Sequence, residues 1–447
     1  MVIIMNNSAH AKIGFWTLTM LVTGNLVGSG AFMLPASLSQ LGSISIVGWV
    51  VTAFAAIVLS FMFATLSKFS NKSGGPQVFI QKAYGNTAGF IAAWGYWVLS
   101  WISNAGLVIG AVGYFSPLVG GFSTLQTYMV EIALIIFLSI VNLTGLKNAG
   151  RFEVLLTLCK VVPLILLPIF AFSFIHIEHF TPINNTSQSF LGALNSASFM
   201  ALWCFVGLET ATVPGGDVEN PRRNIPRALI FGTALAALIY ILGTVSIMGV
   251  IPKNLLAQSK APYADLAGVL FGGSWSVSIS LLASIACIGA LNGWIMIVSR
   301  ISASAAEEGL FPKFFATLNN SGSPKWGTII STILTTIFMG FSLSDNLLDQ
   351  FNIILDLSVM LILVIYVGCS FSYRKLLLEN HQFGNRQKSL FYFSLLFCLW
   401  ALSSLSFKMT LTIMAILVAG LPMYYWTKKK EKTKNNGIID NSTVCTI

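Results

Sequence analysis

The amino-acid sequence predicts an all-α polytopic membrane protein with twelve transmembrane helices. The first and sixth are expected to be broken, each heading a five-helix block, with two further helices after the second block. Three observations carry this. Of 447 residues, 55% are hydrophobic and only 9% are charged, against roughly 25% charged in a soluble domain, so lipid is the solvent. The apolar residues fall in runs long enough to cross a hydrocarbon core of ~30 Å at ~20 residues per helix. Two of those runs are interrupted at matching places, residues 24–30 (GNLVGSG) and residues 203–216 (WCFVGLETATVPGG).

The elements follow in order. The first crossing, 13–35, has glycine, asparagine and serine mid-span and Pro35 at its end. An uncharged outer loop leads to the second, 43–67. The inner loop from Ser67 (SKFSNKSGGPQ) carries lysine, glycine and proline and precedes the third, 86–115. Crossings 125–146 and 152–175 complete a block over about 13–175. The sixth, 190–214, repeats the small mid-span residues and the late proline of the first. Crossings 225–251, 271–300, 326–343 and 349–372 complete a second block over about 190–372, with basic inner loops NPRRNIPR from Asn220 and EEGLFPKF from Glu307. Helices 389–406 and 409–427 close a single membrane domain, 1–427, and a polar cytoplasmic tail spans 428–447. The first block starts inside and the second, after an odd number of crossings, starts outside. Inverted repeats with matching interruptions are the signature of a transporter whose site lies at the breaks.

Charge sets the orientation. The net charge is +10, and with the amino terminus inside, 22 of 25 Lys and Arg fall on the inner side or near inner helix ends. Lys253, Lys260 and Lys408 alone fall outside. This asymmetry puts both termini in the cytoplasm of a multi-pass inner (plasma) membrane protein. The run Lys428-Lys429-Lys430 reads as a stop at the bilayer surface rather than a nucleic-acid patch. Residues 1–12 are too short and polar for a signal peptide. Five of the six cysteines lie inside predicted helices and none has metal-ligand spacing, so free thiols are expected, with no disulfide framework and no metal. The HIEH stretch from His176 is a weak metal signal. No phosphate-binding loop, GxGxxG, HExxH or GxSxG is present, so neither an enzyme nor a cofactor is expected, and energy must come from a gradient.

Glycine mid-helix costs ~1 kcal/mol relative to alanine, and unpaired backbone in lipid costs more. A break is tolerable where the freed groups line a cavity, with amides facing an anion and carbonyls a cation. Gly24, Gly28 and Gly30 also suit close helix packing; the matching stretch in the sixth run favours the break. Glu209 lies deep in an apolar span, where a carboxyl reads as functional and as a proton carrier; bonding to a carbonyl, or pairing with Lys160, is the structural alternative. Asp356 and Glu131 sit nearer outer helix ends, as vestibule charges or structural groups. Trp94, Trp97, Trp101 and Asn104 share one helix face, with Trp94 and Trp97 read as packing and Asn104 as an amide in need of a partner. Trp203 and Trp294 stand beside glycine-containing segments, as core or as seats for a cation.

The stretches GNLVGSGAFMLP, LWCFVGLETATVPGGDVENPRRNIPRA and SRISASAAEEGLFP resemble the amino acid–polyamine–organocation (APC) superfamily. Within it they are most similar to the basic amino acid/polyamine antiporters, especially bacterial arginine/agmatine carriers. The resemblance covers nearly the whole chain. It implies a LeuT-like fold of 5+5 inverted repeats and a possible homodimer through the last two helices. It implies that the Ser29 hydroxyl and Gly30 amide hold a substrate carboxylate, and that Leu26 and Val206 offer carbonyls to its ammonium with Trp203. Asn25 and Gly28 shape the unwound segment. Trp203 and Trp294 sandwich the distal cation, and Asn104, Ser358 and Ser100 bond a guanidinium. Tyr96, Glu209 and Tyr366 form an inner, pH-responsive gate. Ser100 replaces a cysteine of the arginine/agmatine carriers, Leu99 and Leu107 narrow the distal pocket, and Asp356 is an added carboxylate. The expected activity is exchange of an external basic amino acid, arginine first, for its internal amine, agmatine. Acid resistance is one physiological role consistent with that exchange. Lysine/cadaverine or ornithine/putrescine exchange, proton-coupled uptake, or a membrane amino-acid sensor are the alternatives.

Overall fold

A computed structural model describes residues 13–70, 72, 74–144, 149–213, 218–341, 347–404 and 406–429. In chain order the helices are α1 (Phe15–Leu26), α2 (Ser29–Ser39), α3 (Ile44–Leu66), α4 (Pro76–Tyr84), α5 (Asn86–Phe115), α6 (Thr124–Thr144), α7 (Ala149–Ala171) and α8 (Phe190–Leu202). They continue with α9 (Pro221–Val250), α10 (Lys253–Leu256), α11 (Pro262–Phe271), α12 (Gly273–Glu307), α13 (Lys325–Phe341), α14 (Leu347–Glu379), α15 (Asn385–Leu402) and α16 (Phe407–Ala419). Among the described residues there is no strand beyond isolated bridges, one of which joins Ile13 to Val218.

Nine spans in the described residues are long and apolar enough to cross a bilayer. The chain is a multi-span membrane protein. Helices α7, α13 and α15 occupy the other three places where the sequence predicts crossings. Apolar side chains such as Leu125, Met129, Phe137 and Ile140 on α6 stand exposed, as they do where lipid replaces water. Four described cysteines, Cys204, Cys287, Cys369 and Cys398, are free and buried. The side chains of Cys159 and Cys445, the residues 214–217 that end the second interrupted stretch, and the tail from Lys430 lie outside the described residues.

Three short helices have no counterpart in the sequence expectation: the single turn α10, and α4 and α11. α4 starts with Pro76 after Gly75 and ends at Gly85, whose φ of +83° also opens α5. α11 starts with Pro262 and ends at Gly272, whose φ of +94° opens α12. Both glycines combine positive φ with extended ψ, a conformation open essentially to glycine alone, and so stop one helix and turn the chain into the next. The same device of short helix, glycine and long helix thus occurs twice. The long members, α5 and α12, pack along each other, and α14 packs on α5. They form the wall against which the interrupted helices lie.

Candidate functional site

The first interruption is local and physical. α1 stops at Leu26, and Val27 turns to ψ +83° while its N–H donates to the Thr23 carbonyl at 2.8 Å. Gly28 is extended (φ −124°, ψ −146°) and α2 starts at Ser29. Glycine serves here through close approach: a Cβ on Gly28 would lie 2.7 Å from Leu107 Cδ2. The carbonyls freed at the end of α1 find side-chain donors. Lys160 Nζ donates to Gly24 O at 2.6 Å, and Trp294 Nε1 donates to Asn25 O at 3.2 Å. The first amides of α2 lack intrahelical partners, as at any helix start, and carry the positive end of its dipole. The Ser29 hydroxyl is fully buried and has no hydrogen-bond partner.

The second interruption follows α8. A 3₁₀ turn, Trp203–Phe205, gives way to extended Val206 and then to Gly207 at φ +107°, before a second 3₁₀ turn, Thr210–Thr212. A Cβ on Gly207 would sit 2.8 Å from Trp294 Cζ2, so glycine is required here by backbone angle and by contact. Trp203 lies on α5 where Gly106 leaves room, a Cβ there being 3.1 Å from Trp203 Cζ2. Its ring meets Phe351 edge-on, with centroids 5.8 Å apart.

Both interruptions border one cavity. Asn25, Leu26, Gly28, Ser29, Gly30, Trp203, Val206 and Trp294 line it, together with Ser103, Leu107 and Cys204. About 20 Å³ is open to the centre of a water-sized sphere, room for about one water molecule. Ser103 and Cys204 are additions to the sequence reading. Ser103 lies on α5 between Ser100 and Leu107 at helical spacing.

Three residues expected at the site, Ser100, Asn104 and Ser358, are not part of this lining. Ser100 Oγ donates to its own helix at Tyr96 O, 2.6 Å away. Ser358 Oγ accepts from Ser103 Oγ at 3.1 Å. Asn104 is buried and its Oδ1 has no partner. The stripe on the same helix divides as read: Trp94 Nε1 donates to Ile416 O at 2.8 Å, and Trp97 packs on Phe311 and Phe315.

Glu209 lies within the second interruption, just before its second 3₁₀ turn, and is fully buried. Tyr96 OH donates to its Oε1 at 2.7 Å and Tyr366 OH to its Oε2 at 2.5 Å. Each carboxylate oxygen therefore has one phenolic donor, and α5, the interrupted segment and α14 are tied at one point. Lys160 is engaged at Gly24 O instead. Glu131 is buried with neither carboxylate oxygen hydrogen-bonded, and Asp356 is half-buried. Arranged this way, the groups offer a place for an anion at the start of α2 and for a cation beside the indoles, while two hydrogen bonds tie Glu209 to α5 and α14.

The sequence over residues 13–439 matches the amino acid permease family. It is 33% identical over 365 residues to the putrescine transporter PotE of Escherichia coli strain K12, covering 81% of this chain and 83% of that one. It is 31% identical over 409 residues to a putative arginine/ornithine antiporter of Bacillus subtilis strain 168, covering 85% and 87%. A cadaverine/lysine antiporter of Escherichia coli strain K12 is 30% identical over 337 residues, covering 74% and 75%.

Proposed function

We propose that this chain, which belongs to the basic amino acid/polyamine antiporter family of the amino acid permeases, exchanges an external basic amino acid for its internal decarboxylated amine by alternating access. The observation that carries this reading is the single cavity bordered by both interruptions. It sets the buried, unpartnered Ser29 hydroxyl and the first amides of α2 beside Trp203 and Trp294. The amides suit a carboxylate and the indoles a cation. An amino acid uses both, while its amine uses the cation seat alone, so one site serves the two ligands in turn. Relatives named for putrescine, arginine/ornithine and cadaverine/lysine support that substrate class.

Within the class, ornithine and putrescine fit best. Leu107 projects into a cavity that is already tight, and the nearest distal polar group in the lining is a hydroxyl, Ser103. Arginine and agmatine are the second reading. It is favoured by the unpartnered Asn104 Oδ1, an acceptor suited to a guanidinium N–H once the helices part.

The repeated pattern of α4–Gly85–α5 and α11–Gly272–α12 supports two inverted five-helix repeats within a twelve-crossing, LeuT-like domain over 1–427. The positive-inside asymmetry supports an inner-membrane location with both termini and the 428–447 tail in the cytoplasm. A homodimer through the last two helices belongs to the same reading. Competition against labelled putrescine in proteoliposomes tests the pair. Unlabelled ornithine and putrescine should compete best, with lysine, cadaverine, arginine and agmatine weaker. Equal competition by neutral amino acids contradicts the cation seat.

A further inference from the structure

Beside the Glu209 carboxyl, on the side of the lysine-bearing loop, residues 74–77 enter the bundle between four elements. The Gly74 N–H donates to Val213 O at 3.2 Å, past the second interruption. Cys369 on α14 donates its thiol to Pro76 O at 3.8 Å. A Cβ on Gly75 would lie 3.3 Å from both Tyr96 Cε1 and Val213 Cγ2. One on Gly74 would collide with Ser304 Oγ on α12 and lie 3.0 Å from Gln77 Nε2. Both glycines have positive φ, +138° and +85°, so the tight seat depends on residues without side chains. The segment therefore closes the space next to the gating tyrosine.

Gln77 is the anomaly in this seat. It is 1% exposed, and neither its Oε1 nor its Nε2 has a hydrogen-bond partner. A primary amide carries two donors and an acceptor with two lone pairs, and leaving them unmade in a buried place is costly. Packing does not call for it, since methionine has nearly the same length and no such demand. The unmet hydrogen bonds raise the free energy of the seated segment alone, because withdrawal returns the amide to water.

We infer that residues 74–77 are a removable plug beside the gating carboxyl, and that Gln77 is a positioning residue that keeps the plug loosely held, so that it withdraws once per transport cycle. The inference rests on the alternating-access reading above. Cys369 is a native reporter, because it is buried against the plug and becomes reachable when the plug leaves.

The test follows alkylation of Cys369 by N-ethylmaleimide in the full chain, reconstituted without substrate and read by peptide mass, together with turnover and thermal midpoint. Gln77→Met should slow both Cys369 alkylation and turnover about tenfold, with a midpoint equal to or above the parent's. Rates within twofold of the parent, faster rates, or slower turnover with a lowered midpoint overturn the inference. Gln77→Glu places a more demanding group in the same seat and should speed Cys369 alkylation about tenfold. An unchanged or slower rate there overturns it as well, whatever the yield of the first variant. Alkylation is measured without exchange, so a failed plug leaves the exchange reading intact, and a failed exchange reading leaves the alkylation ratio interpretable.

Discussion

In the proposed exchange Ser29 takes the carboxylate end of the substrate and Trp294 the cationic end, so their substitutions separate the two. The Ser29 hydroxyl is buried without a partner, and a hydrogen bond to a charged group contributes ~1.5–3 kcal/mol. Ser29→Ala should weaken the basic amino acid by roughly 10- to 100-fold and leave the diamine within about twofold, measured as separate inhibition constants against one labelled ligand. A cation on a desolvated indole gains ~2 kcal/mol. Trp294→Leu should therefore weaken amino acid and amine alike, by about 30-fold. Normal transport in that variant contradicts the cation seat. Glu209 is the titratable group held by both gate tyrosines. Glu209→Ala should flatten the pH dependence of transport, and an unchanged profile over pH 5–8 counts against its role. These side chains were legible in the sequence because a carboxyl, two indoles and a serine among glycines are out of place in a lipid-embedded run. Ser103 was not, since a serine one residue from an asparagine carries no signal of its own. The engagement of Lys160 with a freed carbonyl was equally hidden, because sequence spacing does not say which backbone groups lose their helical partners.

The second interruption and the α4–α5 joint depend on glycine in different ways, and this separates strain from function. Gly207 has φ +107° and Trp294 within 2.8 Å of where a Cβ would stand. Gly85 has φ +83° and nothing within 4 Å. Alanine in a left-handed conformation costs ~1 kcal/mol or more. Gly85→Ala should thus lower the thermal midpoint slightly and leave transport largely intact. Gly207→Ala adds displacement of the Trp294 ring and should abolish transport at a similar loss of midpoint. Equal transport in the two variants contradicts the close fit between the second interruption and α12. The long apolar helices were readable from composition and run length, and the glycine-rich stretch of α1 and α2 marked where regular helix stops. The short helices α4 and α11 were not readable. Each is about ten residues long and merges in sequence with the longer helix behind it, with only a glycine at the joint. Where an apolar run bends depends on the backbone angle of one residue, which hydrophobic periodicity does not report.

For the whole molecule, the cavity is narrow, and the Tyr96–Glu209–Tyr366 contact ties α5, the second interruption and α14 together outside its lining. Under the proposed alternating access, the interrupted helices move relative to α5, α12 and α14, so that one site meets each side of the membrane in turn. A free carrier that cannot reorient without a ligand gives obligate exchange, because the ligand supplies the charges that pair the freed amides and the indole seat during the crossing. Composition and run length made the membrane setting legible in the sequence, whereas the choice among amino acid/amine pairs in the proposed exchange depends on about one side chain's width at Leu107 and Ser103, below what residue type alone resolves. The most direct test of exchange at this shared site is efflux from proteoliposomes loaded with labelled putrescine. Efflux should be slow into ligand-free buffer and rise at least tenfold when ornithine or putrescine is added outside. Rapid efflux into ligand-free buffer, unaffected by external ligand, would contradict the account.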